Sequence, residues 1–324
     1  MRQFLVRRAA QALVVVFLVA TLTFALIHLA PGDPFAATIE SPLISEAVRA
    51  QWRTAYGLDR PLPEQYWRYL VSVAHGELGY SFSVHRPVSA ALAAALPNTL
   101  LLMGLAIVAS FALGTALGVL QAVRRGSLAD RALGGAALFF YAMPDFWLAL
   151  MAMLVFAYWV PLFPVGGIVD PVLHEYLGPL GRAADRVRHL VLPVATLALL
   201  NAAVVARYQR AAMLDVVHRD FVRTARAKGL PERAVVYRHA LRNALLPTIT
   251  LLGLSFPALL GGAVFVERVF SWPGMGLLTL NAVATRDYPL VTAGVMLGGT
   301  MVALGSLLAD VLYAAVDPRL RERP

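Results

Sequence analysis

Lys228 is the only lysine among 324 residues, and it stands between Ala227 and Gly229. A loop that cradles nucleotide phosphates needs the pattern G-x-x-x-x-G-K-[ST], so ATP hydrolysis by that route lies outside this chain's chemistry. No cysteine is present, which removes disulfides and thiolate metal ligands. The seven histidines (His28, His75, His85, His174, His189, His218 and His239) include no i, i+4 pair, the spacing that sets two imidazoles on one helix face. Neither a metal site nor a catalytic residue is expected, which argues against an intramembrane enzyme. Few polar groups interrupt the apolar stretches: His28, Asp145 and Asn201. Such groups default to a functional reading, so Asp145 and Asn201 are the candidate pathway residues. Each has a plainer reading, Asp145 as a helix opener and Asn201 as a bond to another helix. A proton- or sodium-coupled carrier would place several carboxylates at mid-membrane; this chain offers at most one.

These residues sit in a chain that is 59% hydrophobic and 15% charged, where soluble domains average about 25% charged. The charges cluster between long uncharged runs, which in water would form large apolar patches. About 20 apolar residues cross roughly 30 Å of hydrocarbon. Six segments qualify, near 9–30, 99–121, 133–158, 189–206, 245–266 and 289–309. The expected fold is an all-α integral membrane protein, one domain over 1–324 with about six transmembrane helices. Arg2, Arg7 and Arg8 give the N-terminus the look of a signal peptide. Its uncharged run from Ala9 to Ala30 exceeds the 7–15 residues of a cleavable core, so it reads as a retained first span. Pro144-Asp145 interrupts the third segment, and 132–169 is expected as two helical pieces. Gly104, Gly114 and Gly118 in the second span, and Gly253, Gly261 and Gly262 in the fifth, allow close helix packing.

The net charge of +9 has a pattern. Residues 122–132 carry +2 and 207–244 carry +6, while 31–97 carry −1 and both 160–188 and 267–288 balance. Positive and neutral connections alternate, so the positive-inside rule places both termini, 122–132 and 207–244 in the cytoplasm. The excess arginines flank apolar runs, and no nucleic-acid partner is expected. The lipid bilayer is. The external loop 31–97 carries Trp52, Tyr56, Tyr66, Trp67, Tyr69 and Tyr80, with a short amphipathic helix expected over Glu64–Ala74. It reads as an ordered cap or as a docking surface for something outside. In 266–276, Trp272-Pro273-Gly274 with Phe270 forces a turn, either a re-entrant hairpin that narrows the outer mouth or an ordinary loop with an interfacial tryptophan.

The cytoplasmic loop 207–247 is far longer than orientation requires. Its Gly229-Leu230-Pro231-Glu232 step separates two short helices, glycine ending one and proline opening the next. Such a helix–turn–helix carries a small apolar face and suits docking into another protein.

Thr224-Ala225-Arg226-Ala227-Lys228-Gly229-Leu230, followed by Arg238-His239-Ala240-Leu241-Arg242-Asn243-Ala244-Leu245-Leu246-Pro247, resembles the coupling loop of permease subunits of binding-protein-dependent ABC importers. The similarity is to the dipeptide, oligopeptide and nickel branch. It extends to Pro31-Gly32-Asp33-Pro34, Tyr56-Gly57-Leu58-Asp59, Leu78-Gly79-Tyr80-Ser81, Leu96-Pro97-Asn98-Thr99, Glu267 with Phe270 and Pro273-Gly274-Met275-Gly276, Arg286-Asp287-Tyr288-Pro289 and Asp317-Pro318-Arg319. Arg223-Thr224-Ala225 stands where the broad pattern has Glu-Ala-Ala, and Arg242 where many members have proline; both are features of the peptide branch. The resemblance implies a pore-forming subunit of the cell inner membrane that moves a peptide-like solute inward. It implies a second homologous permease subunit as a heterodimer partner, two ATPase subunits holding ATP and magnesium, and an extracytoplasmic solute-binding protein. Arg223 to Leu230 would couple to the ATPase: Ala225 and Ala227 keep the contact close, and Arg226 and Lys228 offer charge to acidic rims. Phe270, Trp272, Pro273 and Gly274 are the candidate external gate. A self-sufficient secondary transporter or channel is the rival reading.

Overall fold

Where water is absent, a helix satisfies its own backbone groups, and the long runs of alanine, leucine and valine in this sequence do form helices. The structure, a computed structural model, describes residues 2–29, 54, 59–81, 83–255 and 263–316. In chain order come α1 (Arg2–Leu29), α2 (Leu62–Ala74), a small antiparallel hairpin of β1 (Tyr80–Ser81) and β2 (Arg86–Pro87), and α3 (Val88–Val123). Then follow α4 (Leu128–Ala142), α5 (Asp145–Met153), α6 (Pro179–Val216), α7 (Asp220–Ala227) and a helical run over 232–244. The last are α8 (Leu246–Ser255), α9 (Val264–Val269), α10 (Met275–Ala284) and α11 (Tyr288–Val316).

Among the described residues, α1, α3, α6 and α11 are long and apolar enough to cross a membrane. A fifth crossing exists if α4 and the 145–159 helix are one broken span, bent by 105°. The break is where the sequence placed it. Met143 is extended, Pro144 cannot donate, and Asp145 Oδ1 accepts the Phe146 N–H at 2.8 Å in the new first turn. A single straight helix over 133–158 is therefore absent. The expected span 245–266 is seen only as α8 and the start of α9; Gly261 and Gly262 lie outside the described residues, as do Pro31–Pro34, Trp52, Tyr56–Leu58 and Asp317–Arg319.

Two helices outrun their apolar segments. α3 begins at Val88 rather than near 99 and takes in Pro97, while α6 covers 179–216 rather than 189–206. Hydropathy marks only the part of a helix that lipid can cover. Alanine, leucine and arginine, good helix formers, carry the coil onward into the flanking water. The connection expected over 31–97 thus ends ten residues before 97, and 207–216 is helix, not loop.

α3 and α6 pack along one another most extensively among the described helices, and two glycines let them approach closely. A Cβ on Gly114 would lie 2.5 Å from Val205 Cβ and 2.7 Å from Ala202 O; one on Gly118 would lie 2.6 Å from Ala206 O and 2.7 Å from Gln209 Cβ. Gly104 differs from the expectation, since nothing lies within 4 Å of a Cβ there. Gly114→Ala should therefore lower stability by about 1–3 kcal/mol through overpacking. Gly104→Ala should raise it by up to about 1 kcal/mol through helix propensity. Thermal unfolding in detergent distinguishes the two; equal shifts would refute the close contact.

Three buried clusters are strung along α3. Val88, Ala91, Leu92 and Ala95 pack with Met275, Ala282, Leu290 and Ala293 at one end. Leu102 and Ala106 join Ala149, Leu190, Leu197, Val266, Phe270 and Trp272 in the middle. Val119 and Ala122 join Met213, Val222, Ala225, Val235, Val236, Ala240 and Ala244 at the other end. At the first end α2 braces two spans: Tyr66 Oη and Thr21 Oγ1 are 2.7 Å apart, and the Tyr69 hydroxyl donates to Met296 Sδ at 2.8 Å.

Candidate functional site

The 207–247 segment folds as expected from its turn chemistry. α7 carries Asp220 in its first turn and Arg226 in its last, which suits the helix dipole. It ends at Gly229, whose φ of +72° lies in the left-handed region that glycine enters freely. There the Gly229 N–H donates to Arg226 O at 2.9 Å, and Pro231 opens the run 232–244. Arg226 closes the turn: its Nε and Nη2 donate to the Glu232 carboxylate at 3.1 and 2.7 Å. That pairing holds the Glu232 carboxyl below its usual range. The pair is solvent-exposed and contributes little energy; it spans the turn, while the buried cluster beneath holds the two helices together.

Two residues have other roles than the sequence suggested. Ala225 is 5% exposed and packs inward with Val222 upon Met213, Val235 and Ala240; helix periodicity turns it from the outer face. Arg226 has its charge met by Glu232 within the same hairpin. Arg223, Thr224, Ala227, Lys228 and Leu230 remain exposed. Arg223 has Asp220 at 3.7 Å, and the Thr224 hydroxyl donates to Asp220 O. Lys228 has no ion pair among the described residues.

A second fixed point braces this end. Asp130 accepts from Arg210 Nε at 3.0 Å, from Arg210 Nη2 at 2.9 Å and from the Gly126 N–H at 3.0 Å. Gln209, fully buried, accepts the Thr248 hydroxyl at 2.6 Å and so ties α6 to α8.

At the opposite end the 263–276 segment is a packed hairpin. Phe270 and Trp272 are 1% and 0% exposed, so Trp272 is not an interfacial anchor: its ring lies in the middle core. Its indole N–H donates to Asn98 O at 3.0 Å, and Asn98 Nδ2 donates to Pro273 O at 2.9 Å. Beside them lies a buried polar knot that the sequence alone did not single out as a site. The Thr99 hydroxyl donates to Glu267 Oε1 at 2.9 Å and accepts the Met275 N–H at 2.7 Å. Glu267 Oε2 accepts the Leu277 N–H at 2.9 Å, so Thr99 and Glu267 together satisfy the first turn of α10. A Cβ on Gly274 would lie 2.5 Å from both Glu267 and Thr99, which is why glycine stands there. The loop 160–178 lies on this hairpin, with the Gly167 N–H on Phe270 O at 2.8 Å.

Two more carboxylates organise the same end. Asp287 accepts from Ser81 Oγ (2.6 Å), Ser83 Oγ (2.7 Å), the Ser83 N–H (2.9 Å) and the Leu290 N–H (3.2 Å). Burial pushes its carboxyl up, but those donors outweigh burial and hold it low. The Asp185 carboxylate has His174 Nδ1 at 2.6 Å and His189 Nδ1 at 3.2 Å, the latter hydrogen-bonded to Asp185 O at 2.9 Å. Two histidines thus meet in space without the helical spacing sought in the sequence. Among the described residues no group of three or more His, Asp or Glu could hold a metal. Of the candidate pathway residues, Asp145 serves its own helix start, and the Asn201 amide donates to Leu197 O of its own helix at 2.8 Å. His28 likewise bonds Phe24 O of its own helix and contacts Gln65 of α2.

Residues 114–322 match the family described as binding-protein-dependent transport system inner membrane component, and residues 1–103 match that of its N-terminal part. Among curated proteins, the chain is 40% identical over 339 residues to the dipeptide transport system permease protein DppB of Escherichia coli, covering 100% of both chains. It is 39% identical over 321 residues to the oligopeptide transport system permease protein AppB of Bacillus subtilis, covering 99% of both. The glutathione transport system permease protein GsiC of Salmonella paratyphi A is 38% identical, again over 99% of both.

Proposed function

The chain belongs to the binding-protein-dependent transport system inner membrane components, and from that premise we propose that it forms half of a pore through which a peptide-like solute enters the cytoplasm. It is the permease subunit of an ABC importer, pore-forming and not itself an ATPase. The relatives named for dipeptides, oligopeptides and glutathione support a solute with a peptide backbone. Partner subunits supply ATP hydrolysis with its magnesium, an extracytoplasmic binding protein delivers the solute, and a second, homologous permease completes a heterodimer. The protein sits in the inner membrane with both termini inside. Six crossings follow if the bent 128–159 pair is one span and 246–266 another, with α2 and the 80–87 hairpin as part of a periplasmic cap.

The exposed face of α7 carries the coupling, above all Ala227, Lys228 and Leu230, with Arg223 and Thr224 beside them. Ala225 and Arg226 act beneath it, as packing and as brace. In this reading ATP draws the ATPase subunits together, the hairpin follows, and the permease pair turns from inward- to outward-facing. The outer hairpin with Phe270, Trp272, Pro273 and Gly274 moves with α3 as one closing unit. Asn201, exposed on α6 with its carbonyl oxygen unpaired among the described residues, and Asp145 are the polar contacts left for the solute.

The observation that carries this reading is the turn at Gly229, which holds α7 outward on a packed base. Because the chain has no cysteine, Ala227→Cys creates a unique thiol. It should cross-link to a cysteine-bearing ATPase subunit in the co-purified complex, and the yield should change with nucleotide. Absence of any cross-link across a scan of the ATPase surface would sink the coupling assignment.

A further inference from the structure

A cleft of about 370 Å³ lies between α4 and the last third of α6. Its lining changes character along the helix axis. Arg131, Arg207 and Arg210 stand at one end, Leu138, Tyr141 and Val204 at the other. On α4, Arg131, Leu138 and Tyr141 are spaced i, i+7 and i+10 and so share one face, about 15 Å long.

The charge in the cleft is unbalanced. Asp130 is its one acid, and Arg210 occupies both of its oxygens. Arg131 and Arg207 are exposed and have no ion pair among the described residues. From α3, Gln121 also lines the cleft; it is 4% exposed and hydrogen-bonds to no described residue. Its amide is open to the cleft, where a polar atom of an occupant can meet it.

We propose that this cleft holds the headgroup of an anionic phospholipid, its phosphodiester between Arg131 and Arg207. Gln121 donates to a phosphate or glycerol ester oxygen, and the first methylenes of an acyl chain lie along Leu138 and Val204. Guanidinium suits phosphate oxygens, and basic pockets between transmembrane helices on the positive side recognise lipid headgroups. The order of polar and apolar lining separates a lipid from a free anion, which would use the arginines and leave the apolar half unfilled.

The test is lipid binding to the purified full complex by native mass spectrometry, with phosphatidylglycerol, phosphatidylcholine and inorganic phosphate as probes. Phosphatidylglycerol should bind more tightly than phosphatidylcholine, and Arg131→Gln with Arg207→Gln should remove roughly tenfold or more of that preference. Arg124→Gln with Arg242→Gln, an equal charge change outside the cleft, should leave it intact. Gln121→Leu, which alters no charge, should weaken phosphatidylglycerol binding alone and keeps the test decisive if the arginine variant fails to assemble. Unchanged binding in either cleft variant overturns the site. Equal loss in the control means diffuse charge and overturns it as well. Displacement by inorganic phosphate at the lipid's own concentration makes it a free-anion site and overturns the lipid assignment.

Discussion

Gly229→Pro is expected to abolish solute uptake while leaving the protein in the membrane at near wild-type level. Proline holds φ near −65°, and the native turn needs +72°. The substitution also deletes the N–H that donates to Arg226 O. The turn must reopen, and the Arg226–Glu232 pair that spans it separates with it. Crowding plays no part, since a Cβ at 229 would meet nothing within 4 Å. Gly229→Ala therefore incurs only the left-handed penalty of about 1–2 kcal/mol and should retain partial uptake. The middle and outer cores do not involve the turn, so insertion should persist. Uptake of labelled dipeptide into proteoliposomes, read beside ATPase activity, checks this: hydrolysis should continue uncoupled from transport. Full uptake by Gly229→Pro would end the coupling role of the hairpin.

Glu267→Ala is expected to be the most destabilising single change at the opposite end. Its carboxyl group is fully buried and takes the Thr99 hydroxyl and the Leu277 N–H. Truncation leaves both donors without an acceptor, at about 1–3 kcal/mol each. A loss of about 3 kcal/mol should lower the melting temperature in detergent by roughly 5 °C or more. Glu267→Gln keeps the shape and an acceptor oxygen and should lose less. Gly274→Ala, whose Cβ would press on the same carboxyl at 2.5 Å, should also destabilise. Combined with Glu267→Ala, its effect should be less than additive because one of its two obstacles, the Glu267 carboxyl, is gone while Thr99 stays. Additive losses would show that the two residues do not share one knot.

Local chemistry in the sequence located what local chemistry controls. The break at Pro144-Asp145, the turn at Gly229-Leu230-Pro231 and the helix over residues 62–74 each follow from a few neighbouring residues. Helix ends were placed short because apolarity stops at the bilayer and helical propensity does not; α3 and α6 both show it. The buried knot was invisible because Thr99 and Glu267 are 168 residues apart and lie in segments that read as a span and a loop. Asp185 with His174 and His189, and Asp287 with Ser81, are hidden for the same reason: one sequence gives spacing along the chain, not pairing across it. The resemblance puts Ala225 in the contact with the ATPase, whereas its phase against Val222 turns it inward onto Met213.

The glycine contact on α3 is far from the middle of the helix. From Gly118 to Val123 is about 7.5 Å, and from Gly114 back to Val88 about 39 Å, at 1.5 Å per residue. If α3 pivots there as a stiff rod, its arms stand in a ratio of about one to five. A nudge of an ångström where Val119 and Ala122 meet the hairpin core would then swing Val88 to Ala95 by several ångströms, with the Thr99–Glu267 anchorage travelling on the long arm. Spin labels at the two extremities, compared with and without nucleotide, would report that mechanical gain directly.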